Sequence, residues 1–190
     1  LPYFLSALIA LGVAPWISTK LGKKRGGMLT LAISFGMAPM PYILRLLGWF
    51  PENGTDALFW TLVVFNALEV TLIIIAASLV AAMIADIVED SEVKTGRRSE
   101  GIFFAANSFA QKAVNGLGVV VAGQILAIIQ FPTQAKPGEV PESTIADLAI
   151  YYIPVIFFFY ILALAVLSLY KINRAGHEAN LRQLADSQNP

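Results

Sequence analysis

Five long apolar stretches restrict this chain more than any other feature. They run over about residues 2–18, 28–48, 57–85, 101–131 and 148–170. Each is long enough to cross a hydrocarbon core about 30 Å thick at ~1.5 Å per residue. In lipid no water reaches the peptide groups, so each segment must satisfy its own backbone hydrogen bonds as a helix. The apolar residues continue around each helix instead of forming one stripe, as expected where lipid replaces water. The expected fold is an all-α membrane protein. Residues 1–171 form a five-span bundle, and residues 172–190 form a polar tail.

Composition agrees. The chain is 57% hydrophobic and 14% charged, against about a quarter charged in a soluble domain. Such hydrophobicity excludes disorder. The absence of Cys excludes a disulfide scaffold. Thirteen basic residues against 13 acidic ones leave no positive field for nucleic acid. The partners implied are a lipid bilayer and a small solute. The first stretch has no basic leader and no cleavage site, so it reads as a span rather than a signal peptide.

Turn chemistry separates the spans. Residues 49–56 read W-F-P-E-N-G-T-D, with Thr55 or Asp56 placed to cap the third helix. The sequon Asn53-Gly54-Thr55 reads as an ordinary turn. Residues 131–147 carry Pro132, Pro137, Gly138 and Pro141. Thr144 and Asp147 there have capping-box spacing ahead of the fifth span. Inside the second span, Pro39 and Pro41 remove backbone donors and favour a kink.

Basic residues assign the orientation. Lys20, Lys23, Lys24 and Arg25 follow the first span. Lys94, Arg97 and Arg98 follow the third, and Lys171, Arg174 and Arg182 follow the fifth. All fall on one side, which is expected to be cytoplasmic together with the C-terminus. The opposite loops carry Lys136 among Glu52, Asp56, Glu139, Glu142 and Asp147. Arg45 lies near the outer end of the second span, within snorkelling reach of water. His177, in the tail, has no assigned role.

Two charges fall where lipid should be. Glu69 lies roughly 18 Å into the third span and Lys112 roughly 17 Å into the fourth. The two helices run in opposite directions, so both residues reach the bilayer centre. A bare charge there costs about 2.5–3.5 kcal/mol. Two readings follow: a structural ion pair, or two groups facing a wet cavity. Ser108, Gln111, Lys112 and Asn115 share one helical face, and Asn66 shares a face with Glu69. These stripes favour a substrate or cation pathway.

The segment from Asp86 to Glu100 reads D-I-V-E-D-S-E-V-K-T-G-R-R-S-E. Acids end the third span and bases precede the fourth, an order suited to a salt-bridged gate. Exposed pairs of this kind contribute about 0–1 kcal/mol each, weak enough to open. Asp86, Glu89, Glu92, Lys94, Gly96, Arg98 and Glu100, with Lys112 twelve residues later, resemble the motif of the glycoside–pentoside–hexuronide:cation symporters. That family is a branch of the major facilitator superfamily. Ser18 to Arg25, with Lys20, Gly22, Lys23, Lys24 and Arg25, resembles the basic loop between the second and third helices of each superfamily half.

The resemblance implies that the five spans correspond to helices eight to twelve of a twelve-helix transporter. It places the first seven helices, with further cation-binding acids, outside this chain. It also implies a secondary transporter of sugars, glycosides or related solutes in a bacterial inner membrane. Transport would be coupled to Na⁺ or H⁺, with no cofactor. Lys112 would face the central site, the Asp86–Glu100 segment with Arg97 would gate it, and the basic loop would tie the halves together. Five helices alone are not expected to transport. Related eukaryotic proteins carry lysolipids, and a non-transporting scaffold or sensor on the same fold is the other alternative. An enzyme is not expected: there is no Cys, no H-E-x-x-H, no G-x-S-x-G, and the only His lies in the tail.

Overall fold

The computed structural model describes residues 2–134 and 139–172, with 176, 178, 180, 182 and 183 of the tail. Lys136, Pro137, Gly138, Arg174 and His177 lie outside the described residues, as does most of the expected tail. Among the described residues the main helices, in order, are α1 (Pro2–Leu21), α2 (Lys23–Met37), α3 (Met40–Leu46), α4 (Asp56–Thr95), α5 (Glu100–Ile128) and α6 (Glu142–Ser168). With α2 and α3 taken together as Lys23–Leu46, five segments among the described residues are long and apolar enough to cross a membrane.

The second expected span is therefore two helices. Ala38 ends α2 and Pro39 is the N-cap of α3. Proline cannot supply the N–H that a continuous helix needs there. Pro15 and Pro154, by contrast, lie inside α1 and α6 without ending them.

The region between α1 and α2 differs from the expected loop. Gly22 alone joins the helices, at φ 79°, a left-handed conformation open to Gly at little cost. Lys20 belongs to the last turn of α1, while Lys23, Lys24 and Arg25 form the first turn of α2.

Helix α4 is 40 residues long, or about 60 Å, twice the hydrocarbon thickness. The expected span ends at Ala85, where charge begins, but the helix continues to Thr95. Its backbone bonds are internal in water as in lipid, so leaving the membrane does not end it. Gly96 ends it with φ 67° and an N–H bonded to the Glu92 carbonyl at 2.8 Å. At the other end the Thr55 hydroxyl accepts from the Leu58 N–H at 3.2 Å, as the turn reading expects. The capping box expected at Thr144 and Asp147 does not form. Helix α6 starts earlier, at Glu142 with Pro141 as N-cap, so both residues are already helical.

Packing centres on α4. Helix α1 lies against it through buried Ala10, Ala14, Ile75 and Leu79. The alanines bring the backbones close, which matters because lipid provides no hydrophobic drive between helices. The Ser6 hydroxyl donates across this contact to the Ala67 carbonyl at 2.8 Å. Helix α2 packs on α4 through Gly26 and Gly27. A Cβ on Gly26 would come within 2.4 Å of the Ile17 methyl. Helix α6 closes the other side of α2, with the Phe35 and Phe157 rings 4.6 Å apart and Ser34 hydrogen-bonded to Tyr160 at 2.7 Å. Buried Thr30 and Thr71 turn their hydroxyls onto their own helices, to the carbonyls of Gly26 and Ala67.

Helix α5 differs from the rest. Ile125 is its one buried residue, and many of its apolar side chains, Phe109, Leu117 and Val119 among them, are exposed.

Candidate functional site

The mid-span polar residues do not meet. Glu69 is half-buried on α4, while Asn66, one turn earlier, is exposed. On α5, Ser108, Gln111, Lys112 and Asn115 are all exposed. Among the described residues no ion pair joins Glu69 to Lys112, so the interhelical pair read as one alternative is absent from this fold. Glu69 instead lies within electrostatic reach of Tyr42, Tyr152 and Tyr160, on α3 and α6. The Tyr42 and Tyr152 rings are 4.8 Å apart. Sequence reading missed this setting, because tyrosines on separate spans carry no signal of convergence. The polar stripe of α5 is intact as a face of one helix, within a stretch that is exposed on all sides.

The basic end is tightly organised. Asp86 is 3% exposed. It accepts from Lys23 Nζ at 2.5 Å and from the Tyr170 hydroxyl at 2.7 Å. Lys24 Nζ donates to the carbonyls of Ser168 and Tyr170 at 2.7 and 2.6 Å. The first turn of α2 thus fastens itself to α4 through one lysine and to the end of α6 through the next.

The local physics explains both contacts. Three cations at a helix N-terminus oppose its dipole; a buried carboxylate against one of them offsets this. Lys24 meets the C-terminal carbonyls of α6, which lack intrahelical donors and favour a cation. Burial pushes the Tyr170 hydroxyl well above its usual range, and the Asp86 carboxylate adds to the effect. Tyr170 therefore stays protonated as a donor. Its role was not legible, since an aromatic at a span end reads as an interface anchor.

The rest of the Asp86–Glu100 segment is arranged differently from the expected lock. Its first ten residues continue α4. Lys94 pairs with Asp90 within that helix at 2.6 Å. Arg98, past the helix end, lies 3.6 Å from Glu92 and 3.2 Å from Glu100. Arg98 thus links the end of α4 to the start of α5, as the acid-then-base order suggests. Glu89 lies on the same half-buried stretch, and Arg97 is exposed. Asp86 reaches back to Lys23 of α2 and to Tyr170, just past the end of α6. At the opposite end, Arg45 of α3 contacts Glu142 of α6 at 3.5 Å.

Comparison with known proteins follows the same lines. A family profile described as MFS/sugar transport protein matches residues 1–174. An uncharacterized symporter of Synechocystis is 31% identical over 144 residues, covering 74% of this chain and 26% of that protein. YagG of Escherichia coli K12, whose name assigns it provisionally to glycoside/cation symport, is 32% identical over 102 residues, covering 54% of this chain and 22% of its own. An isoprimeverose transporter of Lactiplantibacillus pentosus is 30% identical over 124 residues, covering 65% and 24%. The chain thus spans about a quarter of the length of these curated relatives. No solved structure matches it.

Proposed function

Because the chain belongs to the family of MFS/sugar transport proteins, we propose that it forms part of a cation-coupled symporter of glycosides or related sugars. The family is one of transporters, so the chain is not an enzyme. The observation that carries the proposal is the family match over nearly the whole chain, joined to relatives named as symporters. In this reading the halves of the transporter rock around a midplane site. The face of α5 with Ser108, Gln111, Lys112 and Asn115 lines that site, and helices from elsewhere in the transporter cover it. Glu69, among its tyrosines, is the candidate proton carrier. Na⁺ is the alternative coupling ion.

In this reading the basic end lies on the cytoplasmic side, which its lysines and arginines favour, and the membrane is the bacterial inner membrane that the family resemblance implies. There the Lys23–Asp86–Tyr170 contact holds α2, α4 and α6 as one unit, so that the cytoplasmic gate moves as a block. The link from Arg98 to Glu92 and Glu100 is the weaker, exposed part of the gate.

The test is uptake of labelled glycosides into vesicles bearing the transporter, with and without Na⁺ or H⁺ gradients. Gradient-driven uptake of at least one glycoside is expected. If H⁺ is the coupling ion, Glu69→Gln flattens the pH dependence of uptake. No gradient response across a broad sugar panel would favour a scaffold or sensor.

A further inference from the structure

A cleft of about 700 Å³ opens at the end of the bundle opposite the basic turn, between α3, the 48–53 turn and the start of α6. The pathway proposed above makes no use of it. Its wall carries one cation, Arg45, and two carboxylates, Glu52 and Glu142, with Leu46, Ile145 and Ala149 among its apolar residues. The Arg45 side chain is 23% exposed, and among the described residues its one partner is Glu142, at 3.5 Å. A guanidinium has five N–H donors, so most of its capacity is unused. Glu142 is 85% exposed, so water already competes for that single long contact.

The depth of the cleft is marked by exposed aromatics. Trp49, Phe59 and Trp60 are exposed around the same end of the bundle, and such residues settle at headgroup level. We propose that the cleft binds the headgroup of a zwitterionic phospholipid with a primary ammonium, as in phosphatidylethanolamine. The planar fork of Arg45 takes the phosphate. Glu52 and Glu142 accept from the ammonium, and Leu46, Ile145 and Ala149 meet the start of the acyl chains. The charge pattern selects among lipids. An anionic glycerol headgroup would meet two carboxylates with no cation of its own to offer them. A choline headgroup has no N–H to donate.

The experiment is native mass spectrometry of the protein released from nanodiscs of mixed phosphatidylethanolamine, phosphatidylcholine and phosphatidylglycerol. Phosphatidylethanolamine should be retained about tenfold over either competitor, the scale of one charge-assisted hydrogen bond. Arg45→Ala should abolish that retention. The Glu52→Gln, Glu142→Gln double variant should retain lipid but lose the preference over phosphatidylcholine. The thermal midpoint in phosphatidylcholine alone checks that the variants fold. Equal retention of the three lipids by the parent protein would overturn the proposal. So would unchanged preference in both variants. Glycerophosphoethanolamine, the headgroup without chains, distinguishes a soluble ligand: displacement at a concentration equal to that of the lipid would exclude the lipid as the ligand.

Discussion

Removing the Asp86 carboxylate tests whether the basic end is held by one buried charge contact. Asp86 has a side chain 4% exposed, against 27% for Lys23. Breaking a buried pair by removing one partner costs about 3–5 kcal/mol, because the other charge is left buried. The two directions should differ. Asp86→Ala strands Lys23, which already touches water and also approaches the Ala82 carbonyl at 3.4 Å, so its cost falls near ~3 kcal/mol. Lys23→Met removes the cation from the deeper carboxylate, which keeps the Tyr170 hydroxyl among its partners, so its cost falls near ~5 kcal/mol. Asp86→Asn keeps an acceptor for Tyr170 and should cost roughly half as much as Asp86→Ala. For a chain of this size, ~3 kcal/mol lowers the thermal midpoint by about 6–12 °C. The assay is thermal unfolding in detergent, followed by the fluorescence of Trp16, Trp49 and Trp60. A Lys23→Met, Asp86→Leu double variant should recover much of the loss, since an apolar replacement strands no charge. Additive losses in the double variant, or a shift below 1 °C for Asp86→Ala, would refute the reasoning.

Three further outcomes are expected. Gly26→Ala should destabilise by about 1–3 kcal/mol in the same melt, because its Cβ would lie 2.4 Å from the stiff Ile17 side chain. Gly27→Ala, whose Cβ meets nothing closer than 3.4 Å, should stay within about 0.5 kcal/mol. Thr55→Ala should cost about 1 kcal/mol through loss of the cap on α4, with Thr55→Asn close to neutral in the same melt. Lys112→Ala should shift the midpoint of this chain by less than about 0.5 kcal/mol equivalent, since the residue is exposed on α5. In the transporter the same change should abolish uptake; wild-type uptake rates would remove Lys112 from the pathway.

Much of the fold is legible in the residues because lipid leaves the backbone few choices. The positions of the spans, the break at Pro39 and the Thr55 cap are local properties, set within a turn or two of the chain. The basic segment was legible as charge but not as shape, since a single glycine can replace a loop where its backbone adopts positive φ. The start of α6 was misplaced for a similar reason: Glu142, Ser143, Thr144 and Asp147 are polar, so hydropathy assigned this stretch to the loop. A polar first turn is nonetheless a favourable helix start at the edge of a membrane.

The sequence by itself determined that this is a helical membrane chain with basic residues at one end, and its Asp86–Glu100 motif pointed to the symporter family. Only the tertiary structure decided which acid the basic turn meets. Lys23 and Asp86 are 63 residues apart, and Tyr170 lies 84 from Asp86. Their meeting depends on how closely α2 approaches α4 and α6 approaches α2, which Gly26, Gly27 and the aromatic contacts of α6 with α2 set. Glu69 and Lys112, equally deep by residue count, are not brought together, because depth along a helix carries no information about which neighbour its face will meet.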